Sequence, residues 1–339
     1  MITFIVRRLV AAVGLLLIVA LATFIIFFII PQWGGQTPQD MAAEYVGRQM
    51  NHQALQSVMT QYGFNQPVLT HFYDYVKDIF TGTTYSDGVN MIKCPAPCMG
   101  YSFRTFNQVW PTVMGDFPVT LSIALGAGFF WLVFGVFSGV ISAVRKGSIL
   151  DRATMFIALL GVAMPVYFVA PLCMLLFVYK WPIFPDPTGV SYVSFTQNPF
   201  EWASHLLLVW LVLAFGYAAL YTRLTRAGML DALGEDYVRT ARAKGVPEFR
   251  VVYKHALRAA ITPIITIFGM DFGSVLGGAV LAEIAFSQKG IGSLAILSIQ
   301  QKDFPTMMGI TLVAAAFIVV ANMVVDILYA VIDPRVRMG

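Results

Sequence analysis

Apolar residues run along this 339-residue chain in long blocks, divided by shorter polar stretches. Six blocks approach the ~20 residues that a helix needs to cross a ~30 Å hydrocarbon layer: Leu9–Ile30, Val119–Val144, Ala153–Tyr179, His205–Tyr221, Ile261–Ala282 and Thr306–Ile332. The pattern predicts an all-α, polytopic membrane protein with six transmembrane helices. The strands of an outer-membrane barrel would alternate in short segments, and no such alternation occurs here. Composition agrees, at 58% hydrophobic and 12% charged with a mean hydropathy of +0.73, where a soluble domain carries about 25% charged residues. Arg7 and Arg8 resemble the charged start of a signal peptide. The apolar stretch behind them is longer than a 7–15-residue h-region and no A-x-A site follows, so it reads as a retained span.

The connections divide the chain into a first helix (1–30), an external subdomain (31–112) and a transmembrane core (113–339). In the subdomain, Thr37 is placed to cap a helix with Pro38 at its first position and Asp40 in its first turn. "YGFNQP" stops that helix, and a second runs from near Pro67 to Gly82 with aromatics at Phe72, Tyr73, Tyr75 and Phe80. The following "GTTYSDGVNMIKCPAPCMGYS" reads as turn-rich and irregular. Its Cys94 and Cys98 suit a disulfide in an oxidising compartment, while a metal clip and two free thiols remain open. Cys173 reads as a small apolar side chain within the third block. Late in the chain, Ile291, Leu294, Ile296, Leu297 and Ile299 are spaced for a short amphipathic helix.

Charge then orients the chain. With both termini in the cytoplasm, that side holds fifteen of the twenty-two Lys and Arg residues, as the positive-inside bias requires. Eight of them lie between Arg223 and Arg258, in a polar connection between the fourth and fifth blocks. Within it, "GEDYVRTARAKGVP" reads as a short helix. Glu235 and Asp236 open it where the helix dipole favours negative charge, and Arg239 can pair with either. Gly245 stops it and Pro247 prevents resumption. Ala241, Ala243 and Gly245 form a small-residue face, with Tyr237 and Val238 as apolar knobs and Arg242 and Lys244 as charges. Such a helix suits docking into a cytoplasmic partner. The alternative is a loop whose charges only fix topology, each worth about 1 kcal/mol near anionic lipid.

Within the blocks, Asp271 and Asp326 would each cost roughly 2.5–3.5 kcal/mol if they faced lipid at the midplane. Asp271, with Ser274, is either a polar point on a translocation path or a helix–helix hydrogen bond beside close-packing glycines. Pro165, after Met164, is expected to kink the third block, as a gate element or a packing feature. His205 reads as interfacial and His255 as lying near the bilayer. No P-loop, paired carboxylates, Ser/His/Asp set or metal-ligand cluster appears in the sequence. The chain is therefore read as a non-enzyme that binds no metal or cofactor of its own.

The stretch "EDYVRTARAKGV…YKHALRAAITPIIT" is similar to the EAA-type coupling loop of binding-protein-dependent ABC importer permeases, as found in B-type subunits of the dipeptide/oligopeptide family. Glu235, Ala241 and Gly245 occupy its characteristic positions. The likeness covers nearly the whole chain, from "FIVRRLV" through "YGFNQPVLTHFYDYVKDIFTG", "LGVAMPVYFVAPLCMLLF" and "FSQKGIGSLAILSIQQKDFP" to a specific close in "NMVVDILYAVIDPRVR". In that close Asn322, Asp326, Tyr329, Asp333, Pro334, Arg335 and Arg337 match. Two features depart from the pattern: the "CPAPC" insertion, and Ala259–Ala260 in a loop ending that lacks the general Pro.

The resemblance implies a type I importer permease fold in a bacterial inner membrane. It implies half of a peptide pathway, completed by a second, C-type permease and driven by two cytoplasmic ATPases that hold ATP and Mg. A periplasmic or extracellular binding protein would deliver cargo, lipid would surround the spans, and no nucleic acid is involved. Nickel, glutathione and oligosaccharides are alternative cargoes in such families. A proton-coupled secondary transporter is the main rival reading, with Asp271 its best titratable group; a membrane-embedded enzyme or assembly factor is the other.

Overall fold

The computed structural model describes residues 2–46, 52–86, 91–188 and 192–332. The matching close at Asp326, Tyr329, Asp333, Pro334, Arg335 and Arg337 lies outside the residues whose side chains are described. In chain order, α1 (Ile2–Phe24) passes through a π-helical turn (Ile25–Ile29) into α2 (Ile30–Trp33), and α3 (Pro38–Val46), α4 (His52–Gln61) and α5 (Val68–Thr81) follow. Four short strands come next, β1 (Thr83–Ser86), β2 (Met91–Cys94), β3 (Tyr101–Ser102) and β4 (Asn107–Gln108). The long α6 (Val109–Val144) leads to α7 (Ile149–Ala163), α8 (Val166–Met174) with a π turn (Leu175–Lys180), and α9 (Pro199–Gly234). Then come α10 (Asp236–Ala243), α11 (Glu248–Arg250) with a π turn (Val251–Ala256), α12 (Leu257–Leu276), α13 (Val280–Ala285), α14 (Ile291–Gln301) and α15 (Phe304–Ile332).

Among the described residues five of these helical runs are long and apolar enough to cross a membrane, or six where the bent pair 149–163 and 166–180 counts as one span. The bend is the kink expected at Pro165 within the block Ala153–Tyr179. Helices 149–163 and 166–180 meet at 104°, because Pro165 supplies no N–H and bars the residue before it from helical geometry. Met164 accordingly sits extended at φ −94°, ψ 112°. The fifth block is also interrupted: α12 ends at Leu276, and Gly278, at φ +135°, turns the chain into α13. The fourth block is instead longer than expected. Its helix continues to Gly234 and carries Arg223 and Arg226 on its extension.

The chain divides into two compact units. Unit 1 comprises Met1–Pro118 and Lys289–Val319, and the rest, Val119–Gln288 and Val320–Gly339, forms unit 2. In unit 1, Thr37 and Asp40 cap α3 reciprocally: Thr37 N–H donates to the Asp40 carboxylate at 2.9 Å, and Asp40 N–H to the Thr37 hydroxyl at 3.2 Å. An aromatic core gathers Phe24, Phe28, Tyr45, Phe64 and Tyr85 with both Cys94 and Cys98. The expected irregular stretch after α5 is replaced by a hairpin in which Thr83 pairs with Cys94 and Tyr85 with Ile92. Its β-branched and aromatic residues favour a half-buried strand, and Asp87-Gly88 is a hairpin signal in the sequence. A second hairpin pairs Tyr101 with Gln108. α14 forms where the apolar spacing predicts it, with Ile291 buried and Leu297 and Ile299 exposed.

In unit 2, α9 is the central strut, packing against α7, α8, α10 and α12. α6 lies against it through Gly135 and Gly139, a G-x-x-x-G pair that lets backbones approach closely. A Cβ added at Gly139 would stand 2.5 Å from Thr225 Cβ and 2.7 Å from the Thr222 carbonyl. Ser138, between the two glycines, hydrogen-bonds Thr222 at 2.6 Å. Gly139→Ala is expected to cost about 2 kcal/mol by overpacking and to lower the thermal midpoint in detergent. Gly14→Ala, whose Cβ would meet open space, serves as the neutral comparison.

Candidate functional site

The polar connection between α9 and α12 is built as a mounted helix. Glu235 caps α10 from an extended conformation, its carbonyl accepting from Val238 and Arg239 N–H. At the far end Gly245 adopts φ +75°. Its N–H donates to the Arg242 carbonyl at 2.9 Å, while Val246 N–H reaches back to Ala241 at 3.2 Å. These two bonds form the Schellman arrangement that a left-handed residue permits. Beyond Pro247, the Arg242 guanidinium grips Glu248 with two bonds of 3.1 and 2.6 Å, and the carboxylate raises the Arg242 pKa further. That fork crosses six residues of sequence, so no helical spacing rule points to it.

The structure reassigns two of the helix's expected partner contacts. Val238 and Ala241 are buried in the chain itself, against Val251 with Leu233 and Val246 beside them. They anchor α10 and are not available as knobs for another protein. The outward face is instead Glu235, Asp236, Tyr237, Arg239, Thr240, Arg242, Ala243, Lys244 and Gly245. Arg239 pairs with Asp236 at 3.5 Å, both exposed, and such a pair is worth little. Phe249 and Tyr253 extend the exposed surface with ring centroids 4.5 Å apart. They border a groove of about 310 Å³ that Val140, Ile141 and Val144 of α6 also line.

A carboxylate that the sequence reading passed over lies in the same unit. Asp151, almost wholly buried, receives Arg226 Nε at 2.8 Å and Nη2 at 2.9 Å, Gly147 N–H at 2.9 Å, and the Ser142 hydroxyl. It ties together the end of α6, the start of α7 and α9. The signal available in the sequence was Ser148-x-x-Asp151, a helix-start pattern: the Ser148 hydroxyl accepts from Asp151 N–H at 3.2 Å.

Of the expected pathway residues, Asp271 is half-buried and accepts a 2.8 Å hydrogen bond from the buried Tyr221 hydroxyl. Ser274, nearly one turn along α12, is exposed, as are Met164 and Pro165 at the α7–α8 break. Glu283 of α13, fully buried, accepts from Thr120 at 2.7 Å; it too was missed, because one carboxylate in an apolar run leaves no periodic trace.

In unit 1, Cys94 and Cys98 are joined by a disulfide; Cys173, in unit 2, is a free cysteine. Among the described residues no cluster of three or more His, Cys, Asp or Glu could hold a metal ion. His71, 7% exposed, lies edge-on to Phe24 and Phe28 at 4.7 and 4.5 Å. Burial pulls its pKa from 6.5 down to about 4, partly opposed by the Asp74 charge. The depressed value means that neutral His71 stabilises the fold. That stability is fully present above pH 6.5 and is lost as the pH falls from 6.5 towards 4, to a total of about 3 kcal/mol. Hydrogen-exchange protection across α5, corrected for the pH dependence of intrinsic exchange, should therefore fall between pH 6.5 and 4.5, and His71→Gln should flatten that slope.

The arrangement of long spans, one broken span and an anchored polar helix has the fold of an ABC importer permease. A chain of the MetNI methionine ABC transporter in an inward-facing conformation superposes with a TM-score of 0.52 at 16% identity, over 66% of this chain and 97% of that one. Residues 109–338 match the family described as binding-protein-dependent transport system inner membrane component, and residues 1–124 match its N-terminal companion. The di/tripeptide transport system permease DppB of Pseudomonas aeruginosa is 35% identical over 99% of both chains. The dipeptide permease DppB of Escherichia coli K12 is 31% identical over 99% of both. The probable D,D-dipeptide permease DdpB of the same strain is 34% identical over 96% of both. The chain belongs to this family of inner membrane transport components, in the branch that contains the dipeptide and oligopeptide permeases.

Proposed function

We propose that this chain forms one half of the pathway of an ATP-driven peptide importer and receives mechanical work through α10. The observation that carries the coupling role is the mounting of that helix. Val238 and Ala241 fasten its inner face to Val251, the Gly245 turn and the Arg242–Glu248 fork brace its far end, and the π turn at Val251–Ala256 leads directly into α12. A load on the exposed face would thus be transmitted to the helix that bears Asp271 and Ser274. The exposed residues Glu235, Asp236, Tyr237, Arg239, Arg242, Ala243, Lys244 and Gly245 form the proposed contact with an ATPase, which supplies ATP and Mg. The peptide cargo rests on the names of the relatives.

Under this reading the termini and α10 face the cytoplasm of a bacterial inner membrane. A second permease completes the pathway, a second ATPase acts on it, and an external binding protein delivers peptides. The test is uptake of a labelled tripeptide into proteoliposomes holding the full assembly. Uptake is expected only with ATP and both ATPases present. Uptake by this chain alone under a pH gradient would replace the proposal with proton coupling through Asp271.

A further inference from the structure

The groove of about 310 Å³ in unit 2 lies between the last turn of α6 and the helical stretch that follows Pro247. Val140, Ile141 and Val144 line one side, and Phe249, Val252 and Tyr253 the other. Val144 is the last residue of one membrane-spanning run and Glu248 the first of another. The groove therefore opens where two apolar helices give way to charge. Phe249 is 71% exposed and Tyr253 40%, and amphipathic rings such as Tyr sit at the level where lipid headgroups meet hydrocarbon.

The charge left unpaired around the groove is of one sign. Arg145 lines it and Lys146 follows in the chain. On the other side, Arg250, Lys254 and Arg258 are spaced four residues apart along continuous helical backbone, so they lie near one another on its surface. All five are exposed, and among the described residues none has an ion-pair partner. The single carboxylate at the groove, Glu248, is already met by the two Arg242 hydrogen bonds of 3.1 and 2.6 Å. None of residues 235–245 lines the groove, which is thus separate from the outward face of α10. Apolar walls under a cationic rim complement an acyl chain with an anionic head: wall burial scales with apolar area, and each nearby Lys or Arg attracts the head.

We propose that this groove binds an anionic phospholipid, with one acyl chain between α6 and the Phe249–Tyr253 pair and the phosphate at Arg145 and Lys254. The inference rests on neither the peptide reading nor the coupling reading.

The experiment is native mass spectrometry of the full chain in neutral detergent, titrated with dioleoyl-phosphatidylglycerol or dioleoyl-phosphatidylcholine. The two lipids share their acyl chains and differ in head charge. One phosphatidylglycerol is expected to bind at least tenfold tighter than phosphatidylcholine. Arg145→Gln with Lys254→Gln should weaken phosphatidylglycerol tenfold or more and leave phosphatidylcholine unchanged, while Phe249→Ala should weaken both about threefold. Equal affinity for the two lipids in the unaltered chain would overturn the proposal, and so would unchanged phosphatidylglycerol binding in the double Gln variant. Glycerol phosphate, which has no acyl chain, should fail to compete at equal concentration; effective competition would make this a plain phosphate site and refute the lipid assignment. Retention of the lipid on assembly with the ATPases supports the proposal, and its displacement would give the groove to a protein and overturn it.

Discussion

Gly245→Asp is expected to leave the protein folded and inserted while cutting ATP-driven uptake to background. The backbone at Gly245 has φ +75°, a region that non-glycine residues enter at about 1–2 kcal/mol and that Asp enters more easily than most. A Cβ there meets open space, so no core contact is displaced. A carboxylate at the end of α10 also opposes the helix dipole, by about 0.3–1 kcal/mol. These costs are too small to unfold a membrane bundle, but they fall on the surface proposed to meet the ATPase. Membrane content by immunoblot should match the unaltered protein, and tripeptide uptake should fall at least tenfold. Normal uptake by a fully inserted variant would refute α10 as the transmitting element.

Asp151→Ala is expected to destabilise unit 2 by about 3 kcal/mol. The substitution leaves the Arg226 guanidinium, the Ser142 hydroxyl and Gly147 N–H without their common acceptor. Removing one partner of a buried pair typically costs 3–5 kcal/mol. The lower end applies because the Arg226 side chain remains about a quarter exposed to water. A fall of roughly 6–12 °C in the thermal midpoint follows for a unit of this size. Asp151→Leu with Arg226→Met should recover much of it, since a well-packed apolar pair can replace a buried ion pair. If the double variant is no more stable than Asp151→Ala alone, the cost comes from packing and the ion pair is not its source.

The parts of this protein legible from residue order are those governed by short-range rules. Spans show because hydrocarbon thickness demands length, and Thr37, Pro38 and Asp40 mark a helix start because capping acts within three residues. Gly245 could be read as a stop because a left-handed residue is a local requirement. The anchors of α10 were misassigned for the converse reason. An apolar Val238 on a polar helix can face a partner or its own chain, and only the position of Val251 settles which.

The sequence by itself determined the class of the molecule: a helical membrane protein with long apolar spans, a polar helix at one connection, and a family-specific close. Tertiary structure alone decided the 104° angle at the Pro165 break, the Asp151–Arg226 tie across 75 residues and the Arg242–Glu248 fork. Each of these depends on groups distant in the chain meeting at hydrogen-bond range, or on the angle that a break leaves between two helices. Hydrophobic length and local propensity carry no information about either, because a turn of a few degrees in backbone torsion re-aims a whole helix without altering one residue's preference.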